Sequence, residues 1–265
     1  MTFPNLQGKH DGDSLTTPEE FLRYMSKRKG FSAAEEAMKK VEGMIFCYDK
    51  RLLKYILKTH DVREIKDPYD DPYFHGKLYL LKECDEKIGI LTNFGIGSPI
   101  AAALMDEMIT FGIKKFISIG TAGTLQKHIK IGSIVVCDKA IRDEGTSHHY
   151  IKPEKYVSAS SKMIEKIKES LEKNDLEYNV GTTWTIDAPY RETIAEVKQY
   201  QKEGVLTVEM EASAIFSVGI YKNVDVGAIF TISDCLADLV WNPQLDIGRK
   251  NLEKIFKVAK EVLMN

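Results

Sequence analysis

The chain has 265 residues, 43% hydrophobic and 29% charged, which is enough apolar material for a sizeable core and excludes disorder, collagen and coiled coil as whole-chain readings. With 37 Lys plus Arg against 39 Asp plus Glu, the net charge is −2, so there is no global basic field for nucleic acid or an anionic membrane, and an anionic ligand needs a local site. Cys47, Cys84, Cys137 and Cys235 form no CxxC pair, and Met1 to Asp13 lacks the basic-then-apolar order of a signal peptide; reduced core thiols in a cytoplasmic, soluble protein are expected.

In chain order, Thr16-Thr17-Pro18-Glu19-Glu20 supplies an N-cap, a first-turn proline and early acids, predicting a helix through Phe21, Leu22 and Met25 that stops near Gly30. Phe31 to Val41 reads as a second helix, and Met44 to Tyr48 as the first core strand. A buried strand over Ile88 to Phe94 runs into Gly95-Ile96-Gly97-Ser98-Pro99 and a helix from Ile100 to Phe111. The strand Phe116 to Ile119 runs into a second glycine loop, Gly120-Thr121-Ala122-Gly123-Thr124, and Ile131 to Cys137 is a further strand before the polar stretch Asp143 to Tyr150. Helices follow over Ser160 to Asn174, Arg191 to Lys202, Ala212 to Tyr221 and Leu252 to Leu263. Gly181 to Pro189 is extended and then turns, and Val205 to Glu209 and Val224 to Ile232 are strands. With no repeat, linker or composition break, the pattern predicts one α/β sandwich with helices on both faces of a sheet.

Neither glycine stretch completes GxGxxG or a Walker A motif, so each is either a ligand loop offering N–H groups to an anion or sugar, or a tight strand-to-helix turn. Glu209-Met210-Glu211 ends an apolar strand and opens a small-residue helix. Its carboxylates suit vicinal sugar hydroxyls or, alternatively, offset the helix dipole. Asp234 ends the most apolar strand, where burial suits a general acid and position equally suits a helix N-cap. His148 and His149 are adjacent and cannot easily face one ion, so no metal site is expected. Trp184, Tyr150 and Tyr190 are aromatic candidates to stack a base, or are core and rim residues.

Four segments in order, Asn93 to Pro99, Ile119 to Gly123, Val208-Glu209-Met210-Glu211-Ala212-Ser213-Ala214 and Ile232-Ser233-Asp234, resemble the nucleoside phosphorylase superfamily of purine nucleoside phosphorylases, uridine phosphorylases and methylthioadenosine nucleosidases. The resemblance implies a three-layer α/β/α sandwich around a mixed, partly barrel-like sheet, with residues 44–265 as one domain and 1–43 as a helical N-terminal extension. It implies phosphorolysis of a nucleoside to free base and pentose 1-phosphate, with inorganic phosphate as co-substrate, no other cofactor, and a homo-oligomer, dimer or hexamer. Glu211 would hold the ribose 2′- and 3′-hydroxyls, Met210 would pack under the sugar, Glu209 would support them, and Asp234 would protonate a departing purine. Thr121 with Gly120 would meet phosphate, while Trp184, Tyr190 and Ser233 would face the base, with Arg191 and Glu192 at its edge or starting the next helix. His10 or His149 as the residue that reaches the 5′ end of a neighbouring subunit's sugar is a further expectation of the family's assembly.

The sequence departs from the family at the phosphate site. Ser118 stands where these phosphorylases carry an Arg, and Tyr48-Asp49-Lys50-Arg51-Leu52 replaces Gly-Asp-Pro-x-Arg, leaving Lys50, Arg51 and Arg142 to rebuild a cradle. Hydrolysis is therefore a rival, with Asp49 as a substitute base, and a nucleoside-binding protein without catalysis is a third possibility.

Overall fold

The computed structural model describes residues 4–6, 8–27, 31–65 and 76–265; the expected helix stop at Gly30 lies outside them. Helices α1 (Pro18–Met25) and α2 (Phe31–Met38) precede strand β1 (Gly43–Cys47). Thr17 and Glu20 form the reciprocal capping box that starts α1, and Leu22 and Met25 bury its inner face with Phe21 and Phe111. Three elements that apolar periodicity does not pick out, α3 (Lys50–Thr59), β2 (Val62–Ile65) and β3 (Lys77–Leu81), come before β4 (Ile88–Thr92).

Helix α4 (Ser98–Thr110) leads to β5 (Lys115–Thr124), β6 (Ile134–Asp143), the short helix α5 (Ser147–Tyr150), β7 (Tyr156–Ser158) and α6 (Ser161–Lys173). Next come β8 (Tyr178–Ile186), α7 (Ile194–Lys202), β9 (Thr207–Glu209), α8 (Ala212–Lys222) and β10 (Asp225–Cys235). The chain closes with β11 (Asn242–Pro243), α9 (Leu245–Gly248) and α10 (Leu252–Met264). The helix expected from Arg191 starts three residues later, because Thr193 and Glu196 make a capping box that fixes its first turn; Pro189–Arg191 is a separate 3-10 turn.

Among the described residues the strands form one mixed sheet in the order β11-β10-β6-β8-β9-β5-β1-β4-β3-β2, with β7 on β6. A second pairing, β5 parallel to β10, closes β10, β6, β8, β9 and β5 into a five-stranded ring. The second glycine stretch is thus not a loop: Gly120 to Thr124 continues β5, paired along β10, with Gly123 and Thr124 also facing β9. Small residues are needed there because a Cβ on Gly123 would lie 2.8 Å from Leu236 Cδ1 and 3.0 Å from Asp234 Oδ2.

Period-two alternation makes the three layers. Met44, Phe46 and Phe116 pack with α4 and α8, whereas Ile45, Cys47, Ile117 and Ile119 pack with α3, α6 and α10. Burying each large side chain contributes roughly 1.5–3 kcal/mol, so these two clusters, not local propensity, hold the strands in register. Helices α4 and α8 are apolar nearly all round because each lies between the sheet and other helices. Cys47, Cys84 and Cys137 are buried free thiols, and Cys235 is half-buried and free.

Candidate active site

The ring's register places Thr185 of β8 opposite Glu209 of β9, Gly123 of β5 opposite Val208, and Asp234 of β10 opposite Gly123. One row across three strand pairings therefore carries Thr185, the 209–211 turn and Asp234. Parallel strands β1, β4, β5 and β10 end beside it, the edge at which α/β sheets bind ligands.

Glu209 organises the turn. Its Oε2 accepts the backbone N–H groups of Glu211 and Ala212, both at 2.8 Å, and its Oε1 accepts the Thr185 hydroxyl at 2.6 Å. Thr185 Oγ1 in turn accepts Ser213 N–H at 3.0 Å. A buried carboxylate thus satisfies N–H groups that the start of α8 would otherwise leave unpaired. Burial pushes the Glu209 carboxyl up; burial, then the Glu209 charge, pushes Glu211 up.

Glu211 is fixed from the opposite side. Gly97 N–H donates to its Oε1 at 2.5 Å, and the Ser98 hydroxyl donates to the Met210 carbonyl at 2.8 Å. Gly97 has φ +108°, which side-chain-bearing residues rarely adopt, so glycine here lets the loop aim its N–H at the carboxylate. The first glycine stretch is thus a loop tied to the acidic turn, and Met210, half-buried, sits between its anchors.

Asp234 follows an irregularity in the β10–β5 register between Ile232 and Asp234, a local bulge that re-aims the strand end. Ser233 Oγ donates to its Oδ1 at 2.7 Å, and Trp241 Nε1 donates to its Oδ2 at 3.0 Å. Ser233 is buried and also reaches the Ala122 carbonyl at 3.4 Å. Nearby, burial and then the Asp234 charge push Glu192 up to about 7.

Other expected site residues are placed elsewhere. Trp184 is fully buried among Leu125, Ile141 and Val208, stacked at a tilt 4.9 Å from Tyr200, and donates Nε1–H to Asp143 at 2.8 Å; its faces are taken by core contacts, so it offers none to a base. Tyr190 is 100% exposed on the 3-10 turn and packs on nothing that would hold it over a ligand. Arg142 is buried, with Nε on Ser147 Oγ at 2.9 Å and its terminal nitrogens on the Lys152 and Ile151 carbonyls at 2.7 and 3.1 Å. It braces α5 with three of its five N–H groups. Arg51, its side chain 64% exposed, pairs with Asp246, while Asp49 caps α3 by accepting the Arg51 and Leu52 N–H groups.

Gly120 and Thr121 lie on β5, opposite Phe230 and Thr231 of β10. Beside them stands a residue not among the expected ligands, Tyr48: its ring lies 3.4 Å from where a Gly120 Cβ would be, and its hydroxyl accepts from Ser118 Oγ at 3.4 Å. His10 Nε2 donates to the His148 carbonyl at 2.9 Å within the same chain. Thr185, Gly97 and Trp241 are likewise new; Gly97 stands in a glycine stretch that was itself a signal, whereas nothing local marks Thr185 or Trp241. Among the described residues no group of three or more His, Cys, Asp or Glu side chains could hold a metal ion, and no helix is long and apolar enough to cross a membrane.

The chain is similar to guanosine phosphorylase of Halorubrum lacusprofundi, 33% identical over 142 residues covering 54% of this chain and 59% of that protein. A DeoD-type purine nucleoside phosphorylase of Caldanaerobacter subterraneus is 33% identical over 144 residues, 54% of this chain and 62% of that one. Uridine phosphorylase of Haemophilus influenzae is 27% identical over 143 residues, 49% and 57% of the two chains. The matched segment thus spans about three-fifths of each of these relatives. The crystal structure of uridine phosphorylase from Vibrio fischeri superposes with a TM-score of 0.68 at 25% identity, over 84% of this chain and 90% of that one. The family model described as phosphorylase superfamily matches residues 42–264, a span that takes in β1, the whole ring, the Glu209–Glu211 turn and Asp234, and the chain belongs to that superfamily.

Proposed function

We propose that this chain cleaves the N-glycosidic bond of a nucleoside, with a purine preferred, and transfers the pentose to phosphate. The observation that carries the reading is the buried Glu211 carboxylate, held by Gly97 N–H on one side and by the Glu209-bound backbone on the other. Its remaining lone pairs suit two vicinal ribose hydroxyls, and bonds that tighten as positive charge develops on the sugar lower the barrier selectively. Met210 packs under the ring. At the base, Asp234 gives a proton to the leaving purine, a role worth typically about 10²–10⁴ in rate. A phosphate oxygen lone pair forms the bond to C1′, the C1′–N electron pair leaves with the base, and that base takes the Asp234 proton, giving pentose 1-phosphate and neutral base. Asp234 is then reprotonated from solvent.

Phosphate as acceptor is supported by the relatives' activities and by Thr121 on β5. Hydrolysis is the second reading, favoured by one observation: Arg51 and Arg142 are committed elsewhere and Ser118 meets a tyrosine rather than an open cradle. A panel of nucleosides incubated with and without phosphate, with free base read by absorbance, tests the proposal. Phosphate-dependent release of purine base is expected. Release unaffected by phosphate transfers the conclusion to hydrolysis, and binding without release leaves a nucleoside-binding protein. We propose further that the chain works as a homo-oligomer, dimer or hexamer, in the cytoplasm; a monomer by light scattering refutes the assembly.

A further inference from the structure

We infer that Tyr48, braced by the Ser118 hydroxyl, positions the acceptor oxygen at C1′, and that it does so through a neutral hydrogen bond. The inference rests on nucleoside cleavage at the Glu211–Asp234 site.

The argument begins with position. Tyr48 follows β1, whose Cys47 is opposite both Thr92 of β4 and Ile119 of β5, so Tyr48 lies at the carboxyl ends of β1 and β4, beside the point where β5 continues as Gly120 to Thr124. Its ring is packed edge-on against Phe94 with centroids 5.2 Å apart and lies over Gly120, which fixes where the hydroxyl sits. β5 runs between it and Asp234 on β10. A displacement at C1′ needs the acceptor to enter opposite the departing base. With Asp234 at the base on one flank of β5, Tyr48 on the other flank stands on the entering side.

Chemistry supplies the second half. The Tyr48 oxygen accepts from Ser118 Oγ, which leaves its own O–H to donate. Burial, followed by the Glu211 carboxylate, pushes the phenol well above its ordinary value, so the proton stays on oxygen at any working pH. Ser118 is itself buried and cannot turn to solvent, which holds the pair as a unit. A hydroxyl donor facing a site that already contains two carboxylates favours an acceptor bound by hydrogen bonds over one bound by charge.

The test uses the full chain and measures base release against phosphate concentration at saturating nucleoside, and against nucleoside concentration at saturating phosphate. A phosphate-free series is run in parallel. Tyr48→Phe keeps the ring and removes only the donor. Loss of one neutral hydrogen bond predicts an acceptor effect of about 3–10-fold, read as a raised phosphate KM, or as a lowered kcat if release needs no phosphate, with nucleoside KM within about twofold. Ser118→Ala should give a smaller change of the same kind, and it serves if Tyr48→Phe folds poorly. Unchanged acceptor dependence in both variants overturns the inference and makes Tyr48 a packing residue. A rise in nucleoside KM equal to that for phosphate also overturns it. If the unsubstituted protein releases base from no nucleoside under either condition, the cleavage reading fails first and this inference falls with it.

Discussion

Removing Glu209 should unfold the start of α8 rather than merely weaken a ligand contact. Glu209→Ala deprives the Glu211 and Ala212 N–H groups of their acceptor and strands the Thr185 hydroxyl in the interior. Each buried donor left unpaired costs about 1–3 kcal/mol, so the three give about 3–9 kcal/mol if none finds another partner. Relief of the buried carboxylate offsets part of this, and a net loss of about 2–4 kcal/mol is expected. Glu209→Gln keeps an oxygen for both N–H groups, but its amide donor meets Thr185, which already accepts from Ser213 N–H and loses its own acceptor; about 1 kcal/mol is expected. Urea unfolding with linear extrapolation reads both values. Thr185→Val combined with Glu209→Ala should cost less than the sum of the two single changes, since both act on one network. A Glu209→Ala loss within about 0.5 kcal/mol of zero, or a Gln variant as costly as Ala, would refute the assignment of Glu209 as the acceptor that holds this turn.

Three further outcomes follow from the same geometry. Asp234→Asn should lower purine release about 10²–10³-fold with nucleoside KM nearly unchanged, measured by steady-state kinetics; equal losses in binding and turnover would make Asp234 structural. Glu211 binds its proton more tightly folded than unfolded, so its contribution to stability is full below the ordinary value of 4.5 and is lost as pH rises through the raised native value. Glu211→Gln should therefore flatten the decline in unfolding free energy over that window while abolishing sugar binding, and parallel pH slopes would contradict this. Arg142→Ala should cost about 2–4 kcal/mol through three lost hydrogen bonds, whereas Arg51→Ala, an exposed pair, should cost at most about 1 kcal/mol. Neither should move the phosphate KM; a large rise in a stably folded variant would restore that arginine to the acceptor site.

The elements most legible in the sequence were those whose signal is local. Thr17-Pro18-Glu19-Glu20 marks a helix start because capping is decided within one turn, and Met44 to Cys47 marks a strand because its alternate residues feed two different cores. The acidic turn at Glu209 to Glu211 and the glycine at 97 were visible as residue types, since carboxylates and positive-φ positions are chemically distinctive. The sequence by itself thus determined the α/β alternation and the family pattern.

Tertiary structure alone decided which of these residues meet. Closure of the ring depends on β5 finding β10 across more than 100 residues of chain, and that pairing, with β9 on Gly123 and Thr124, turns Gly120 to Thr124 from an apparent loop into a strand. Trp184 and Arg142 looked like ligands because an indole and a guanidinium carry the right chemistry. Their partners, Tyr200 and Asp143 for one and the 151–152 carbonyls for the other, are set by packing that no local window encodes. Tyr48 shows the converse: in the sequence it is the end of an apolar strand and a departure from the family's glycine, and only the buried Ser118 hydroxyl against its oxygen marks it as more than core.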